Sequence, residues 1–262
     1  MAAIGNVLDV HAAIPTWTTL FLDFEADSFD RGVAFWQRVT GYGRSPVRGS
    51  AGEFATLVPP EGDAHLKVQR LGSGLTRLHV DHHVDDMAAA VPVAEELGAR
   101  VTFRGDGFIV LASPGGFTFC LVPSGASART APAEWPGAHT SAVDQVCLDI
   151  PPRLYDTEAA FWRDLTGWEL TAPTAENEFG SLRRPADRPV RFLMQRLDDD
   201  QDAVTAHLDL AATDRDAEVA RHEQLGAEAV QRTSEWTVMR DPTGWTYCVT
   251  DRDPETGVSR PE

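Results

Sequence analysis

Two His-x-Asp strings, His79-Val80-Asp81 and His207-Leu208-Asp209, put an imidazole and a carboxylate two positions apart. On a β-strand that spacing sends both side chains to one face. A carboxylate near an imidazole raises its pKa and can set it up as a general acid or base. The bland alternative is a hydrogen-bonded pair bracing a strand end, and the strings alone do not choose. Cys120 follows the turn glycine Gly116 as Cys248 follows Gly244. A thiol there is a soft metal donor or a nucleophile in principle. No helix start follows it to lower its pKa, so a small half-buried strand residue is the plainer reading.

These residues come in pairs because the chain does. Phe35-Trp36-Gln37-Arg38-Val39-Thr40-Gly41 returns as Phe161-Trp162-Arg163-Asp164-Leu165-Thr166-Gly167, residue 35 recurring at 161, a shift of 126. Leu20-Phe21-Leu22-Asp23 meets Val146-Cys147-Leu148-Asp149, and Val68-Gln69-Arg70-Leu71 meets Met194-Gln195-Arg196-Leu197, at the same shift. From His79 to His207 the shift is 128, which needs a two-residue insertion. Leu97-Gly98-Ala99 then matches Leu225-Gly226-Ala227, and Pro114–Cys120 matches Pro242–Cys248. Collinear matches of this kind mark an internal duplication. The sequence divides into an N-terminal extension (1–15), a first copy (16–123), a Pro/Ala/Ser/Gly-rich linker (124–141), a second copy (142–252) and a tail (253–262).

Each copy reads as two modules of strand, helix and further strands. Leu20, Leu22 and Phe24 alternate with Phe21 and Asp23, the period of a strand. Phe29, Val33 and Trp36, like Tyr155, Ala159 and Trp162, have the spacing of one helix face. Asp30 and Asp156 stand at the expected helix starts, with Gly41 and Gly167 at the ends. The second modules open at His79 and His207. Asp85 and Asp214 precede their helices, with Pro92 predicting a kink or a late start in the first. Hairpins through Pro-Gly and Asp-Pro-x-Gly turns close them. If Leu20, Leu22 and Phe24 pack under the helix, Thr19, Phe21 and Asp23 face the other way. The same alternation turns His79, Asp81, His83, Thr118 and Cys120 to that face, and Gln145, Cys147, Asp149, His207, Asp209, Thr246 and Cys248 in the second copy. Such a face is the wall of a polar cavity, and its acids suit a cationic ligand. Its expected ligand contacts are Thr19, Asp23, His79, Asp81, Cys120, Gln145, Asp149, His207, Asp209 and Cys248. His82 falls on the packing face as a satisfied buried histidine.

Of 262 residues, 23 are Lys or Arg and 40 Asp or Glu, a net charge of −17. That balance excludes nucleic acid and anionic membrane as partners, since phosphate binding runs on basic patches. No apolar run approaches the ~20 residues that span a bilayer. Residues 1–15 lack the basic start of a signal peptide. Three widely spaced cysteines suit free thiols in a reducing compartment, so a cytoplasmic protein is expected.

A βαβββ module used twice per copy, with Arg77-Leu78-His79-Val80-Asp81 and Asp241-Pro242-Thr243-Gly244-Trp245-Thr246-Tyr247-Cys248, resembles the vicinal oxygen chelate superfamily. This is the glyoxalase, bleomycin-resistance and extradiol dioxygenase group, and the match is nearest its glyoxalase-like branch. The resemblance implies an α+β fold of four tandem modules, with curved mixed sheets forming clefts and helices on the outer face. Metal-dependent relatives take a ligand from the first strand, a His opening the second module, and a Glu after the turn glycine. Here those positions hold Thr19 or Gln145, His79 or His207, and Cys120 or Cys248, so the anchoring carboxylate is missing. Divalent sites of this kind want hard oxygen and imidazole donors. No cofactor is therefore expected, and the chain reads as a metal-independent binder of a small organic molecule, in the style of bleomycin-resistance proteins. The alternative is a lyase, isomerase or dioxygenase using Zn, Fe or Mn at His79 or His207. A third is a protein–protein module that has lost its site. A fused duplication can complete its own cleft, so monomer or homodimer is expected.

Overall fold

In a computed structural model of the chain, residues 10–126, 128–174 and 178–259 are described; residues 1–9 of the extension and 260–262 of the tail lie outside them. The first copy runs β1 (Trp17–Glu25), α1 (Phe29–Thr40), β2 (Gly43–Arg44), β3 (Phe54–Val58), β4 (Leu66–Leu71), then β5 (Arg77–Val84), α2 (Met87–Glu96), β6 (Arg100–Arg104), β7 (Ile109–Ala112) and β8 (Thr118–Pro123). After the short β9 (Ala133–Glu134), the second runs β10 (Thr140–Ile150), α3 (Tyr155–Thr166), β11 (Leu170–Thr171), β12 (Phe179–Leu182), β13 (Arg191–Arg196), β14 (Thr205–Ala212), α4 (Arg215–Gln224), β15 (Glu228–Arg232), β16 (Trp236–Arg240) and β17 (Thr246–Thr250). The two sheets have the same order, β2-β3-β4-β1-β5-β8-β7-β6 and β11-β12-β13-β10-β14-β17-β16-β15. Each is two modules joined where their first strands pair antiparallel, β1 with β5 and β10 with β14.

Gly41 and Gly167 end α1 and α3 in left-handed backbone, at φ 73° and 66°, where a Cβ would be strained. The helix starts differ in detail from the sequence reading. Asp86, not Asp85, caps α2 by accepting from the Ala89 amide (3.1 Å), while Asp214 caps α4 as expected. Pro92 lies inside α2, which begins in register with α4, so no late start occurs. The linker is partly ordered, since β9 pairs with β10, and β10 begins within it at Thr140. A 3-10 turn at Val10–Ala13 belongs to the extension, and its Ala13 joins the core.

The helix-covered faces of the two sheets share one core. Trp36 and Phe35 of α1 pack on Tyr247 of the second copy, with ring centroids 5.1 and 6.1 Å apart. Trp162 and Phe161 of α3 pack on Phe119 of the first, at 5.4 and 5.8 Å. Each copy's first helix thus covers its sister's second module. The buried Glu218 of α4 fastens the exchange: it accepts from Arg221 (2.7 Å), Ser141 (2.6 Å) and His139 (2.9 Å). Arg221 also donates to the carbonyls of Arg38 and Val39 at the end of α1, where a cation is favoured. His82 is on the packing face as expected, against Trp162 and Phe192, but it is only half satisfied. Nδ1 meets Thr18 Oγ1 at 3.2 Å and Nε2 has no partner. Burial pushes its pKa down to about 3, so the ring is neutral.

Candidate functional site

The opposite faces of the sheets carry the residues that alternation assigns to them. In the first copy, Asp23 on β1 lies across from Arg77 and beside His79 on β5, because the β1–β5 register pairs residue 23 with 77 and residue 21 with 79. His79 Nδ1 donates to Asp23 (2.8 Å), and its Nε2 is 3.6 Å from Asp81. Thr19 bonds His83 Nε2 at 2.9 Å. Cys120 on β8 lies opposite Asp81 in the parallel register. Burial and that carboxylate push its thiol pKa far up.

The second copy repeats the frame. His207 Nδ1 donates to Asp149 (3.0 Å), and Nε2 is 3.4 Å from Asp209. Gln145 donates to the other oxygen of Asp209. The Nε2 contact with Asp209 is a proximity and not a hydrogen bond, since among the described residues Asp209 Oδ1 has no hydrogen-bond partner. Burial works against a charge on the ring, while the hydrogen bond to Asp149 favours it, and the pKa of His207 stands well above its ordinary value. Burial raises the carboxyl of Asp209, against the pull of His207. Burial likewise lifts the thiols, Cys147 to about 12 and Cys248 upward, so both are neutral and poor nucleophiles near pH 7.

Among the described residues, three donor groups come close enough to share an ion: His79, Asp81 and Cys120; Cys147, Asp149 and His207; and His207, Asp209 and Cys248, each set with atoms within 4.8 Å of one another. Strand alternation already puts Asp81 and Asp209 on the face of the His and Cys, but the sequence reading sought the metal's carboxylate only after the turn glycine. The donor chemistry nevertheless fits a divalent ion poorly. Both nitrogens of His207 are turned to carboxylates and one Asp209 oxygen is taken by Gln145, which leaves Asp209 Oδ1 as a buried oxygen without a partner among the described residues.

The copies differ in what stands over this frame. A cavity of about 1280 Å³ opens on the second sheet, with Gln145, Cys147, His207, Asp209 and Cys248 among its lining. Phe179 and Trp236 form an apolar flank, edge to face at 5.6 Å. Residues 255–259 of the tail run along the rim, and Arg191 Nη1 holds the Gly257 carbonyl at 2.6 Å. In the first copy the corresponding space is filled. Phe21 stacks on His79 with centroids 4.6 Å apart, and Lys67 Nζ lies 5.1 Å over the Phe21 ring and 3.9 Å from Asp81. Acids alone do not line the open cavity, contrary to the expectation of a cation site. Arg129, Arg183, Arg184, Arg191 and Arg252 also border it. Arg191 was within reach of the sequence, since it alternates with Leu193 and Gln195 on β13. Arg129, Arg184 and Arg252 lie outside the regular strands, where no period marks a direction.

The "glyoxalase-like domain" family matches residues 19–122 and again 145–250. No curated protein matches the chain. Solved structures of similar fold include 2,2',3-trihydroxybiphenyl 1,2-dioxygenase from Sphingomonas wittichii strain RW1, at TM-score 0.59 and 19% identity, covering 90% of each chain. The Mn(II)-bound glyoxalase from Novosphingobium aromaticivorans superposes at 0.60 and 17% identity, over 91% of this chain and 82% of that one. A variant of homoprotocatechuate 2,3-dioxygenase from B. fuscum superposes at 0.62 and 13% identity, over 97% and 78%. At such identities these likenesses speak to fold alone. With two family matches spanning most of its length, the chain belongs to the glyoxalase-like domain family.

Proposed function

We propose that the second copy binds a small organic molecule in its open cavity and does so without a metal ion. The observation that carries the reading is the geometry of the cavity floor. His207 stands between Asp149 and Asp209, 3.0 Å from the one and 3.4 Å from the other, so both ring nitrogens are turned to carboxylates of the protein itself. Around it the wall combines an apolar flank with a few oriented polar groups, the usual make-up of a small-molecule site. The shared core, in which each copy covers the other, supports a chain that works as a monomer.

The reading to set against it is a metal-dependent lyase, isomerase or dioxygenase, favoured by the close spacing of His207, Asp209 and Cys248. Metal analysis of tag-free protein purified from metal-supplemented medium separates the two. Binding without metal predicts far less than one equivalent of Zn, Fe or Mn per chain. A stoichiometric ion, lost in a His207→Ala variant that keeps its fold, would overturn it. Thermal-shift screening against small organic molecules completes the test, because a ligand that binds only the folded state raises the Tm.

A further inference from the structure

Four guanidinium groups gather along one wall of the cavity, on Arg129, Arg184, Arg191 and Arg252. Only Arg191 has a carboxylate within ion-pair distance, Asp144 at 2.7 Å. Arg184 is held by two backbone carbonyls, those of Arg188 (2.7 Å) and Pro189 (2.9 Å). Arg129 donates to the carbonyls of Ala186 (3.0 Å) and Glu255 (3.2 Å), and Arg252 to that of Gly257 at 3.4 Å. Arg184 and Arg252 are half-buried, and among the described residues neither has an acid within 4 Å. Burial, and then repulsion from Arg129, pushes Arg184 down to about 10; burial and Arg191 also lower Arg252. Glu178, Glu235 and Glu255 border the same cavity but are exposed, so water screens them. Asp209 and Asp251 also line the cavity, and Asp144, Asp209 and Glu235 act on Arg252 from beyond ion-pair distance, so Arg184 and Arg252 have acids nearby but no carboxylate in contact, in a chain whose net charge is −17. Guanidinium forks already fixed by backbone carbonyls keep further N–H groups for a planar oxyanion, and the bonds they form with one are charge-assisted.

We propose that this cavity takes an organic carboxylate, with its acid group against Arg184 and Arg252 and an aromatic body against Phe179 and Trp236. The inference rests on the binding role assigned to the second copy and adds the chemical class of its ligand.

The test is calorimetric titration of the full chain with three probes of one shape: 2-naphthoate, the neutral 2-naphthamide and the cationic 2-naphthylmethylamine. Naphthoate should bind at least about tenfold more tightly than the amide, with the amine weakest. Arg184→Gln combined with Arg252→Gln should erase the preference for naphthoate and leave the amide unchanged. Should that variant not fold, salt supplies the second measurement on the natural chain. Naphthoate affinity should fall as ionic strength rises while that of the amide holds. Equal binding of naphthoate and amide, or tightest binding of the amine, overturns the carboxylate assignment and leaves the binding cavity standing. Failure of all three probes to bind overturns the cavity's binding role and this inference with it.

Discussion

The two clefts carry one frame and opposite fillings. In both, a His on the first strand of the second module reaches back to an Asp on the first strand of the first, and an Asp two positions on stands at its other nitrogen. Over that frame the first copy sets Phe21 and Lys67, and the second sets Cys147 and Leu193 at the matching positions. The pairing of Phe21 with Lys67 and of Cys147 with Leu193 in the parallel registers makes each pair act as a unit. The His–Asp frame therefore does not make a binding site by itself. It persists in the first copy beneath Phe21 and Lys67, where the His79–Asp23 bond ties β5 to β1. What distinguishes the open one is the volume of two neighbours and the arginines of the surrounding loops.

The turns trade groups in the same way. Trp36 of α1 donates to Asp241 in the sister copy's turn (3.1 Å). Trp162 of α3 donates instead to Glu158 of its own helix (2.8 Å), which also accepts from the Gly115 amide of the sister turn (2.7 Å). Where the second copy has Glu158 the first has Gly32, and where the second has Asp241 the first has Ser113. At Gly32 a Cβ would stand 2.5 Å from the Phe24 ring, so no carboxylate can be carried there. One acid per interface satisfies the indole, supplied from opposite partners. Two copies that cover each other in this way should not unfold separately. Trp36→Ala and Trp162→Ala each remove a fully buried indole and should cost about 3–5 kcal/mol. In calorimetry each variant should keep a single transition, moved to lower temperature as a whole. A split into two transitions, one unchanged from the natural chain, would break the comparison into independent domains.

Exchanging the fillings sharpens it further. Cys147→Phe places in the second copy the ring that stacks on His79 in the first, and the cavity gives it room. Binding of the naphthoate probe should weaken by at least tenfold, about 1.4 kcal/mol, with little change in Tm. The reciprocal double variant, Phe21→Cys with Lys67→Leu, should open the first cleft and create a second, weaker site seen as a stoichiometry above one. Unaltered binding in Cys147→Phe would place the ligand elsewhere.

The modules, their order and the faces of their strands were legible because duplication doubles a weak period-2 signal. Leu20 and Leu22 against Asp23 is short, but Val146 and Leu148 against Asp149 repeats it. Helix ends at Gly41 and Gly167 were legible because left-handed backbone selects glycine. Asp85 and Asp86 are adjacent acids, and only backbone geometry selects Asp86 as the cap. The contrast between Phe21 and Cys147 was visible in the alignment of the copies. Its meaning needed the parallel register that brings Lys67 or Leu193 alongside. Arg129, Arg184 and Arg252 come from linker, loop and tail, so the charge of the cavity wall could not be read from the strand faces, and those faces alone gave the opposite sign.

The smallest expected effect tests the frame itself. Asp149→Asn removes the negative charge at His207 Nδ1 while keeping an oxygen that can accept, and should lower the raised imidazole pKa, followed by NMR titration of the ring. His207 holds its proton more tightly folded than unfolded. The stabilisation from its ion pairs is therefore fully present below the unfolded value of about 6.5 and is lost as pH rises through the folded one. Since His207 and Asp149 side chains are 17% and 19% exposed, water weakens the pair, and the variant should cost only about 1 kcal/mol in acid. The loss should shrink as the pH is raised past the folded pKa, because the natural ring then loses its charge too. A cost that grows with pH would mean that Asp149 acts on something other than the charged ring.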